Sequence, residues 1–414
     1  MTMRLNAAIV VLLTSLVAAT YGFGIYLFAQ LVPDMQASLG FDFSYVGSIT
    51  ASAQFGFLIC ALLAVWLTPK IGGGWMIVAS GAICALALLL IPLSDNILVI
   101  GTLLTLLAGT AATVFVPMVD IVARVTAYRY RGLAMGLVSS GTSYGVAVNS
   151  LLVPLYAAQG EWRSVWWWVG LLTVAMAVLV LVVFKKAGLL SKTPPPTVTT
   201  MAVDRAVSNT RLALIKPWIL MIWSMNFLIG FATFPFQTYL SSYLRTELGF
   251  DVQFSAQVWA VIGFVGMFAG LVVGWLSDRT GLRAAMLLVY SCVVTAALIF
   301  VVHPYGYWPL VAAGLFSTAF YPIFGLIPAY VSKLASSSAM AVSIFGVANV
   351  MQGSGGMLGN YGAGLLASHS GSFAGGYATI SGVGVLLIVL TLKLPKEAPE
   401  ATSADLTANY PTAN

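Results

Sequence analysis

Two charged side chains lie four residues apart within an otherwise apolar stretch of the sequence. Asp120 and Arg124 share one face of a helix at this spacing and can form an ion pair. Because charges are costly inside a membrane segment, they commonly mark proton relays and gates. The pair therefore predicts a charge relay or a gate near the end of a helix. A purely structural pair at a helix terminus and direct contact with a solute are the alternatives.

The other side chains that could bind a solute are amides, hydroxyls and aromatic rings inside apolar segments. Amides both donate and accept hydrogen bonds, so they suit solutes with hydroxyl, carbonyl or carboxylate groups. The alternative is that they only join packed membrane helices to one another. The predicted substrate-binding residues are Tyr21, Tyr26, Gln30, Gln54, Tyr144, Asn149, Asn226, Thr233, Gln237, Tyr321, Asn349, Gln352 and Asn360. Among them, Asn226, Thr233 and Gln237 recur on one helix face and are the first choice.

The composition excludes most classes of soluble protein. Hydrophobic residues make up 60% of the 414 residues and charged residues only 7%, whereas a soluble domain carries about 25% charged residues. The mean hydropathy is +0.97. These values exclude an ordinary soluble enzyme, a nucleic-acid-binding protein and a disordered chain. The sequence has no phosphate-binding loop, catalytic triad or metal-ligand spacing, so we expect no enzymatic activity, no metal and no cofactor.

Long apolar runs predict an all-α membrane protein. Only helices and closed barrels satisfy every backbone group in lipid, and the runs here are continuous, which favours helices. A helix needs about 20 apolar residues to cross a bilayer. Twelve predicted transmembrane spans meet this length, at residues 7–31, 44–67, 75–93, 97–123, 132–157, 164–184, 218–243, 254–276, 284–303, 308–331, 339–367 and 374–393.

The basic residues predict the orientation of these spans. With both termini in the cytoplasm, every Lys and Arg except Arg163 and Arg245 falls on the inner side. We therefore predict a multi-pass protein of a cell inner membrane, surrounded by the lipid bilayer, with both termini cytoplasmic. The net charge of +6 follows from this topology and does not indicate a nucleic-acid partner.

Short motifs recur at a nearly constant separation along the chain. The run LGFD at residues 39–42 returns at residues 248–251, and WL at 66–67 returns at 275–276. The repeat predicts two six-helix pseudo-repeat bundles with a site between them near the middle of the membrane. The predicted domains are 1–184 and 218–393. A cytoplasmic linker at 185–217 joins them, and a disordered cytoplasmic tail follows at 394–414.

Two motifs resemble those of a known transporter family. Residues 274–283 read GWLSDRTGLR and resemble the G-x-L-x-D-R-x-G-x-R loop of the major facilitator superfamily. Residues 131–136 read RGLAMG and resemble the start of span 5 in its monocarboxylate- and anion-type members. The resemblance implies a secondary transporter that works by alternating access. It also implies that spans 1, 4, 7 and 10 line the central cavity, while spans 2, 5, 8 and 11 carry the rocking interface.

The resemblance further implies a gate at the inner side of the membrane. In the first-half loop that matches residues 274–283, Pro69 stands in place of Asp278. We therefore expect Asp278 and Arg279 of the second-half loop to contribute more of the gate energy. The predicted gating and coupling residues are Asp120, Arg124, Arg131, Asp278, Arg279 and Arg283.

Small residues form ladders on two of the spans. Span 5 contains Gly141 and Gly145, and span 11 contains Gly353, Gly355, Gly356 and Gly359. Because small residues let helices approach closely, these ladders predict sliding surfaces where the two spans meet across the halves. Static close packing is the alternative.

The predicted middles of spans 1, 2, 5, 7, 8, 10 and 11 contain no Asp, Glu, Lys, Arg or His. A site for a strongly charged solute would normally hold a counter-charge, so we expect a neutral cavity, with any proton coupling through Asp120. We predict a monomeric secondary active transporter, such as a symporter, for a small organic solute: a monocarboxylate-like anion or a neutral metabolite. The alternatives are an efflux carrier for amphipathic or aromatic compounds, and a sensor or scaffold that transports nothing.

Overall fold

The computed structural model describes residues 3–127, 130–190, 216–335 and 338–395, and these residues form twelve long helices. The first half contains α1 (Met3–Val17, Ala18–Tyr26 and Leu27–Leu39), α2 (Phe43–Ile71), α3 (Gly73–Leu90), α4 (Ile97–Val125), α5 (Arg131–Tyr156) and α6 (Trp162–Lys186). The second half contains α7 (Pro217–Thr238, extended by Leu240–Ser242 and Tyr243–Glu247), α8 (Val252–Thr280), α9 (Leu282–Val302), α10 (Trp308–Leu334), α11 (Ser338–Ser370) and α12 (Ala374–Lys393). Single 3-10 turns, Ile91–Leu93 and Ala157–Gln159, follow α3 and α5.

Each of the twelve predicted spans corresponds to one of these helices. Ten are long and apolar enough to cross a membrane, and the other two, α5 and α11, are the helices with the glycine ladders. The all-α prediction is therefore confirmed for the described residues. Most of the predicted linker and almost all of the predicted tail, at 191–215 and 396–414, lie outside the described residues. The domain boundaries stay a prediction.

Helix α1 continues beyond its predicted end at Leu31 and runs to Leu39. Proline and charge are both unfavourable inside a membrane helix, and Pro33 and Asp34 follow the predicted end directly. Both lie within the helix, and Asp34 is neutralised there by Arg245 of α7. The middle of α1 is π-helical from Ala18 to Tyr26, a widened form of helix that is frequent at functional sites.

The repeated LGFD motif stops one helix and starts the next. Gly40 and Gly249 have φ angles of +70° and +74°, a left-handed conformation that glycine adopts without steric cost. Two residues later, Asp42 and Asp251 accept backbone N–H groups at the N-termini of α2 and α8. The Ser44 hydroxyl also donates to Asp42, and these bonds hold the pKa of the Asp42 carboxyl below its ordinary value. The motif recurs because each half needs the same turn.

The two halves repeat one packing pattern. In the first half α1 packs on α5, α2 on α4, and α3 on both α4 and α6. In the second half α7 packs on α11, α8 on α10, and α9 on both α10 and α12. Three pairs join the halves: α1 with α7, α2 with α11, and α5 with α8. The α2–α11 pair and the α5–α8 pair are equivalent to each other under the repeat, and α1 is the equivalent of α7.

We define two ends of the helix bundle by their charged residues. The basic face carries Lys70, Arg124 and Arg279, and the opposite face carries Asp34 and Arg163. One apolar core cluster joins residues of both halves, whereas a second cluster contains first-half residues alone and lies toward the basic face. The halves therefore share a core near the opposite face and separate toward the basic face.

The glycine ladders of α5 and α11 pack within the halves and not between them. A methyl group at Gly145 would lie 2.4 Å from the Ala18 carbonyl oxygen of α1, and one at Gly141 would lie 2.3 Å from the Thr14 carbonyl oxygen. On α11, Gly356 abuts the ring of Phe234 of α7, and Gly355 and Gly359 abut the α7 backbone. The sliding-surface prediction was therefore wrong, since these glycines allow α5 to pack on α1 and α11 on α7. A methyl at Gly353 would meet nothing within 4 Å.

We expect Gly145→Ala to destabilise the protein by about 1–3 kcal/mol, because the added methyl must displace backbone that has no room to move. Gly136→Ala is the matched control on the same helix, since a methyl group there meets nothing within 4 Å. The control should be neutral or slightly stabilising, as alanine favours a helix over glycine. Thermal unfolding of the purified variants in detergent measures both. Equal melting temperatures would contradict the close α1–α5 packing.

Candidate functional site

The halves are joined at the opposite face by an ion pair between α1 and α7. Arg245 donates to both carboxylate oxygens of Asp34, at 2.7 Å from Nη2 to Oδ1 and through a second, shorter contact from Nη1 to Oδ2. The two side chains are only 14% and 9% exposed. A two-pronged arginine–carboxylate pair combines charge attraction with a defined geometry. This pair therefore fixes how α1 meets α7.

Close packing of α2 on α11 reinforces the closure at the same face. A methyl group at Gly364 of α11 would lie 2.6 Å from the Phe43 carbonyl oxygen and 3.1 Å from the Gly47 Cα of α2. Tyr239, at the end of the main helix of α7, donates its hydroxyl to the Asn360 carbonyl oxygen at 2.9 Å. The rings of Phe43 and Phe373 also meet edge to face across the halves. The opposite face is therefore sealed by backbone contact as well as by charge.

Helices α5 and α8 touch at mid-membrane and separate toward the basic face. A methyl group at Gly263 of α8 would lie 2.9 Å from the Ala147 nitrogen of α5, and one at Gly266 would lie 2.7 Å from the Ser143 hydroxyl. One turn further toward the basic face, a methyl at Gly270 would meet nothing within 4 Å. The same holds for Gly136 on the facing end of α5. The interface is therefore closed at the opposite face and open toward the basic face.

Two glutamines lie buried next to the closure, and neither side-chain amide has a hydrogen-bond partner within the described residues. Gln30 of α1 is 1% exposed and Gln237 of α7 is 2% exposed. Gln30 precedes Asp34 by one helical turn, and Gln237 precedes Arg245 by about two. The four-residue spacing puts Gln30 on the face of α1 that carries Asp34, and Gln237 lies at the end of the main helix of α7, just before the break at Tyr239 that separates it from Arg245. The sequence predicted both residues as substrate contacts.

A second group of polar side chains lies deeper in the interface, around Gly266. The ring of Tyr321 of α10 and the hydroxyl of Ser143 of α5 both come within 3 Å of a methyl placed at Gly266. The two hydroxyls lie close enough to interact with each other, and neither has another hydrogen-bond partner in the described part of the chain. Tyr26 of α1 is close enough to Tyr321 to interact with it electrostatically. Gln30 lies one helical turn from Tyr26 along α1. We call Tyr26, Gln30, Ser143, Gln237 and Tyr321 the amide–phenol column.

Several other predicted contacts are engaged inside their own half. Asn226 Nδ2 donates to the Ile222 carbonyl oxygen at 2.8 Å, and the Thr233 hydroxyl donates to the Ile229 carbonyl oxygen at 2.8 Å. The face of α7 that was the first choice thus has only Gln237 without a partner among the described residues. Asn149 Nδ2 donates to the Gly22 carbonyl oxygen in the π-helical part of α1, at 2.8 Å.

The remaining predicted contacts differ in exposure. Tyr21 packs its ring edge to face against Phe57 and Phe115, so it belongs to an aromatic cluster of the first half. Tyr144 and Asn349 are exposed, and Gln54 is half-buried. Gln352 and Asn360 are buried on α11, and Asn360 Oδ1 has no partner among the described side chains and backbone. The structure brings only some of the predicted set to the interface between the halves.

The predicted gating residues all lie at the basic face. Asp120 and Arg124 form the expected ion pair, and their side chains are 49% and 31% exposed, respectively. Arg131 donates to the Ala123 carbonyl oxygen at 2.8 Å and Arg283 donates to the Leu392 carbonyl oxygen at 2.7 Å, so each ties two helices of one half together. Their roles as gates or couplers remain predictions.

The last turns of α2 and α8, which the sequence predicted as loops, share a feature that sequence reasoning missed. Lys70 lies over the ring of Trp66 at 3.1 Å, and Arg279 lies over the ring of Trp275 at 3.9 Å. These cation–π contacts use the same i, i+4 spacing in both halves. Asp278, beside Arg279, is exposed. The halves therefore differ in the acid but share the cation and its aromatic partner.

Sequence reasoning also missed Asp34, Arg245 and Ser143. Asp34 lay beyond the predicted end of span 1, and Arg245 was noted only as an exception to the charge rule. The signal that could have found them is that opposite charges stand at the outer ends of equivalent spans 1 and 7. Ser143 carried no signal of its own, since serine is common in membrane helices as a packing residue.

Curated relatives of this chain are transporters. The chain is 21% identical over 264 residues to the "Probable sulfoacetate transporter SauU" of Cupriavidus necator, covering 60% of this chain and 59% of the relative. It is 27% identical over 177 residues to the "Uncharacterized transporter YgaY" of Escherichia coli O157:H7, covering 42% of this chain and 44% of that protein. The matched region thus spans less than two thirds of either relative.

Solved structures share the whole fold at low identity. The nucleoside transporter NupG superposes with a TM-score of 0.71 at 14% identity, covering 95% of this chain and 99% of that one. A bacterial homologue of the human lysosomal transporter Spinster, described as inward-facing and unoccupied, gives a TM-score of 0.67 at 14% identity, covering 95% and 96%. These likenesses confirm the twelve-helix architecture. The Major Facilitator Superfamily model matches residues 14–360, and the chain therefore belongs to this superfamily of transporters.

Proposed function

We propose that this protein is a secondary active transporter that carries a small organic solute across a cell inner membrane by alternating access. The observation that carries the proposal is the pair of glutamines in the amide–phenol column, Gln30 and Gln237, whose buried amides have no hydrogen-bond partner among the described residues. A buried polar group without a partner costs about 1–3 kcal/mol. A bound solute would recover this energy. Helix packing alone gives no reason to leave the groups unbonded.

In the proposed cycle, this structure is the state that is open at the basic face. The positive-inside rule assigns that face to the cytoplasm, so both termini are cytoplasmic and the state faces inward. The solute enters the interface, bonds to the amide–phenol column, and the halves rock about it. Closing the basic face requires opening of the Asp34–Arg245 pair and of the α2–α11 contact. The three helix pairs that join the halves supply the rocking surfaces, and one chain contains both halves, so a monomer suffices.

The relatives support a small organic solute without naming it. The name of the Cupriavidus relative specifies sulfoacetate, and the structural neighbour NupG is a nucleoside transporter. The alternative function is efflux of amphipathic or aromatic compounds, which the aromatic rings of Tyr26 and Tyr321 would also accommodate. Uptake of a labelled solute panel into proteoliposomes, with and without a pH gradient, separates the two. Accumulation of a polar solute supports import, whereas outward movement of amphipathic compounds alone supports efflux.

Replacing either buried glutamine with leucine tests solute binding against helix packing. We expect Gln30→Leu and Gln237→Leu to reduce uptake at least ten-fold, because the solute loses a donor and an acceptor. Both variants should be at least as thermostable as the unaltered protein, since leucine removes unbonded polar atoms from the interior. Gln257→Leu is the control, because Gln257 is an exposed amide of α8. A fall in stability with unchanged uptake would show that the glutamines only join helices.

The ion pair between α1 and α7 should control the open-to-closed equilibrium. Asp34→Ala leaves Arg245 buried without its partner, a change that costs about 3–5 kcal/mol for a buried pair. We expect uptake to fall at least ten-fold and the double charge reversal, Asp34→Arg with Arg245→Asp, to restore part of it. Asp95→Ala is the matched control, since Asp95 pairs with Arg163 at the same face but within the first half. Equal uptake by the unaltered protein, Asp34→Ala, the double reversal and Asp95→Ala would show that the ion pair has no role in the transport cycle.

We further propose protons as the coupling ion, with Asp120 as the coupling carboxylate. An acidic exterior should then accelerate uptake several-fold, and Asp120→Asn should abolish this acceleration because asparagine cannot release a proton. Asp95→Asn, which alters the other exposed aspartate–arginine pair, should leave it intact. Uptake across a range of imposed pH gradients measures both. If the unaltered protein ignores the gradient, proton coupling is wrong. If Asp120→Asn responds to the gradient as the unaltered protein does, the coupling carboxylate lies elsewhere.

A further inference from the structure

We infer that the solute is an uncharged molecule with a hydrogen-bond donor and an acceptor on adjacent atoms, as in a carboxamide, ureide or lactam, and that Gln30 and Gln237 bind that edge. This inference rests on the proposed transport function and narrows its substrate class. Of the two solute classes predicted from the sequence, the neutral metabolite is favoured over the monocarboxylate-like anion.

The pattern of unmet hydrogen bonds carries the inference. Both glutamines leave both side-chain atoms unbonded in the described structure: Nε2, which donates, and Oε1, which accepts. Because both atoms are unbonded in each residue, the result does not depend on which way round either amide is oriented. A partner that satisfies such a group must itself both accept and donate. A planar amide edge does so with two parallel hydrogen bonds.

A carboxylate cannot satisfy the same groups. It accepts hydrogen bonds from Nε2 but has no hydrogen to give to Oε1. Two further acceptors, Asn149 Oδ1 and Asn360 Oδ1, are also buried without a partner among the described residues. The orientation of the Asn149 amide is defined, because its Nδ2 donates to the Gly22 carbonyl oxygen. The buried interior therefore holds further unbonded acceptors, which would favour a solute with N–H or O–H groups over an anion.

The interface also lacks a cation to balance an anion, as far as the described residues extend. Arg245 is the basic residue next to the glutamines, and Asp34 engages both of its terminal nitrogens. Arg124 pairs with Asp120 at the basic face. Within the described ranges, no lysine or arginine is among the fully buried polar side chains. An anion moved from water into this interior would lose its hydration without a counter-charge, at a cost of several kcal/mol.

The rest of the amide–phenol column suits the body of such a molecule. Tyr26 and Tyr321 supply aromatic rings next to this site, and the hydroxyls of Tyr321 and Ser143 can each donate or accept. Because a hydroxyl can act as donor or as acceptor, these groups add affinity without discriminating a neutral solute from an anion. The glutamines discriminate the two classes of solute, because each amide has one atom that only donates and one that only accepts.

Matched pairs of solutes test the inference on the full-length protein in detergent. Lactamide with lactate and nicotinamide with nicotinate differ only in replacing an amide by a carboxylate. We expect the amide member of at least one pair to bind at least ten-fold more tightly by titration calorimetry at neutral pH. Gln237→Glu keeps an acceptor but loses the donor, so it should weaken amide binding at least ten-fold. Gln257→Glu, with the same chemical change at an exposed position, should not.

Each outcome bears on the inference separately from the transport function. Tighter amide binding that is lost in Gln237→Glu and in Gln30→Leu supports the donor–acceptor edge. Equal or tighter carboxylate binding overturns it, as does amide binding that neither glutamine affects or the absence of binding by both pairs. Uptake of any solute in the proteoliposome panel would leave the transporter proposal standing in those cases. A folded protein that moves no solute in either direction would overturn the transporter proposal itself.

Discussion

A polar side chain inside a bilayer has no water to bond, so it needs a partner in the protein or in a bound molecule. Most polar side chains of this protein meet that constraint locally. The hydroxyls of Thr14, Thr20 and Thr233 donate to the carbonyl one turn earlier, and Asn226 does the same with its amide. Polar groups that bond within their own helix keep their partners when helices move. Groups that are left unbonded at an interface depend on what enters it.

The same constraint explains where the charges lie. The two aspartate–arginine pairs of the opposite face stand at helix ends, and the pair that joins the halves is the more buried of the two. A charge at mid-membrane would have to be neutralised in every state of the cycle, whereas a charge at the end can pair when buried and meet water when exposed. Glycine contacts such as Gly47 with Gly364 complete the seal without any group that must be desolvated. The closure is therefore strong when formed and readily released into water.

The sequence was sufficient to predict the architecture but only part of the site. Twelve apolar runs and the repeated turn motif predicted the helices, because hydropathy and capping are local properties. The end of α1 was misjudged because the partner that neutralises Asp34 lies 211 residues away. For the same reason Asn226 and Gln237 looked alike on one helix face, although only the first bonds to its own backbone. The glycine ladders gave the right close packing but the wrong partners, since spacing defines a face and not the helix that covers it.

The first-half loop lacks the acid of the second-half loop but keeps its cation and the aromatic partner of that cation. Lys70 follows Pro69 and still has an aromatic partner in Trp66, just as Arg279 has one in Trp275. Both cations are therefore held in place in the state that is open at the basic face, by contacts that do not use the acid. Asp278 is exposed in this state, so any bond it makes across the halves belongs to the state in which the basic face is closed. In the proposed cycle, we therefore expect the asymmetry between the halves to act on the state in which the basic face is closed.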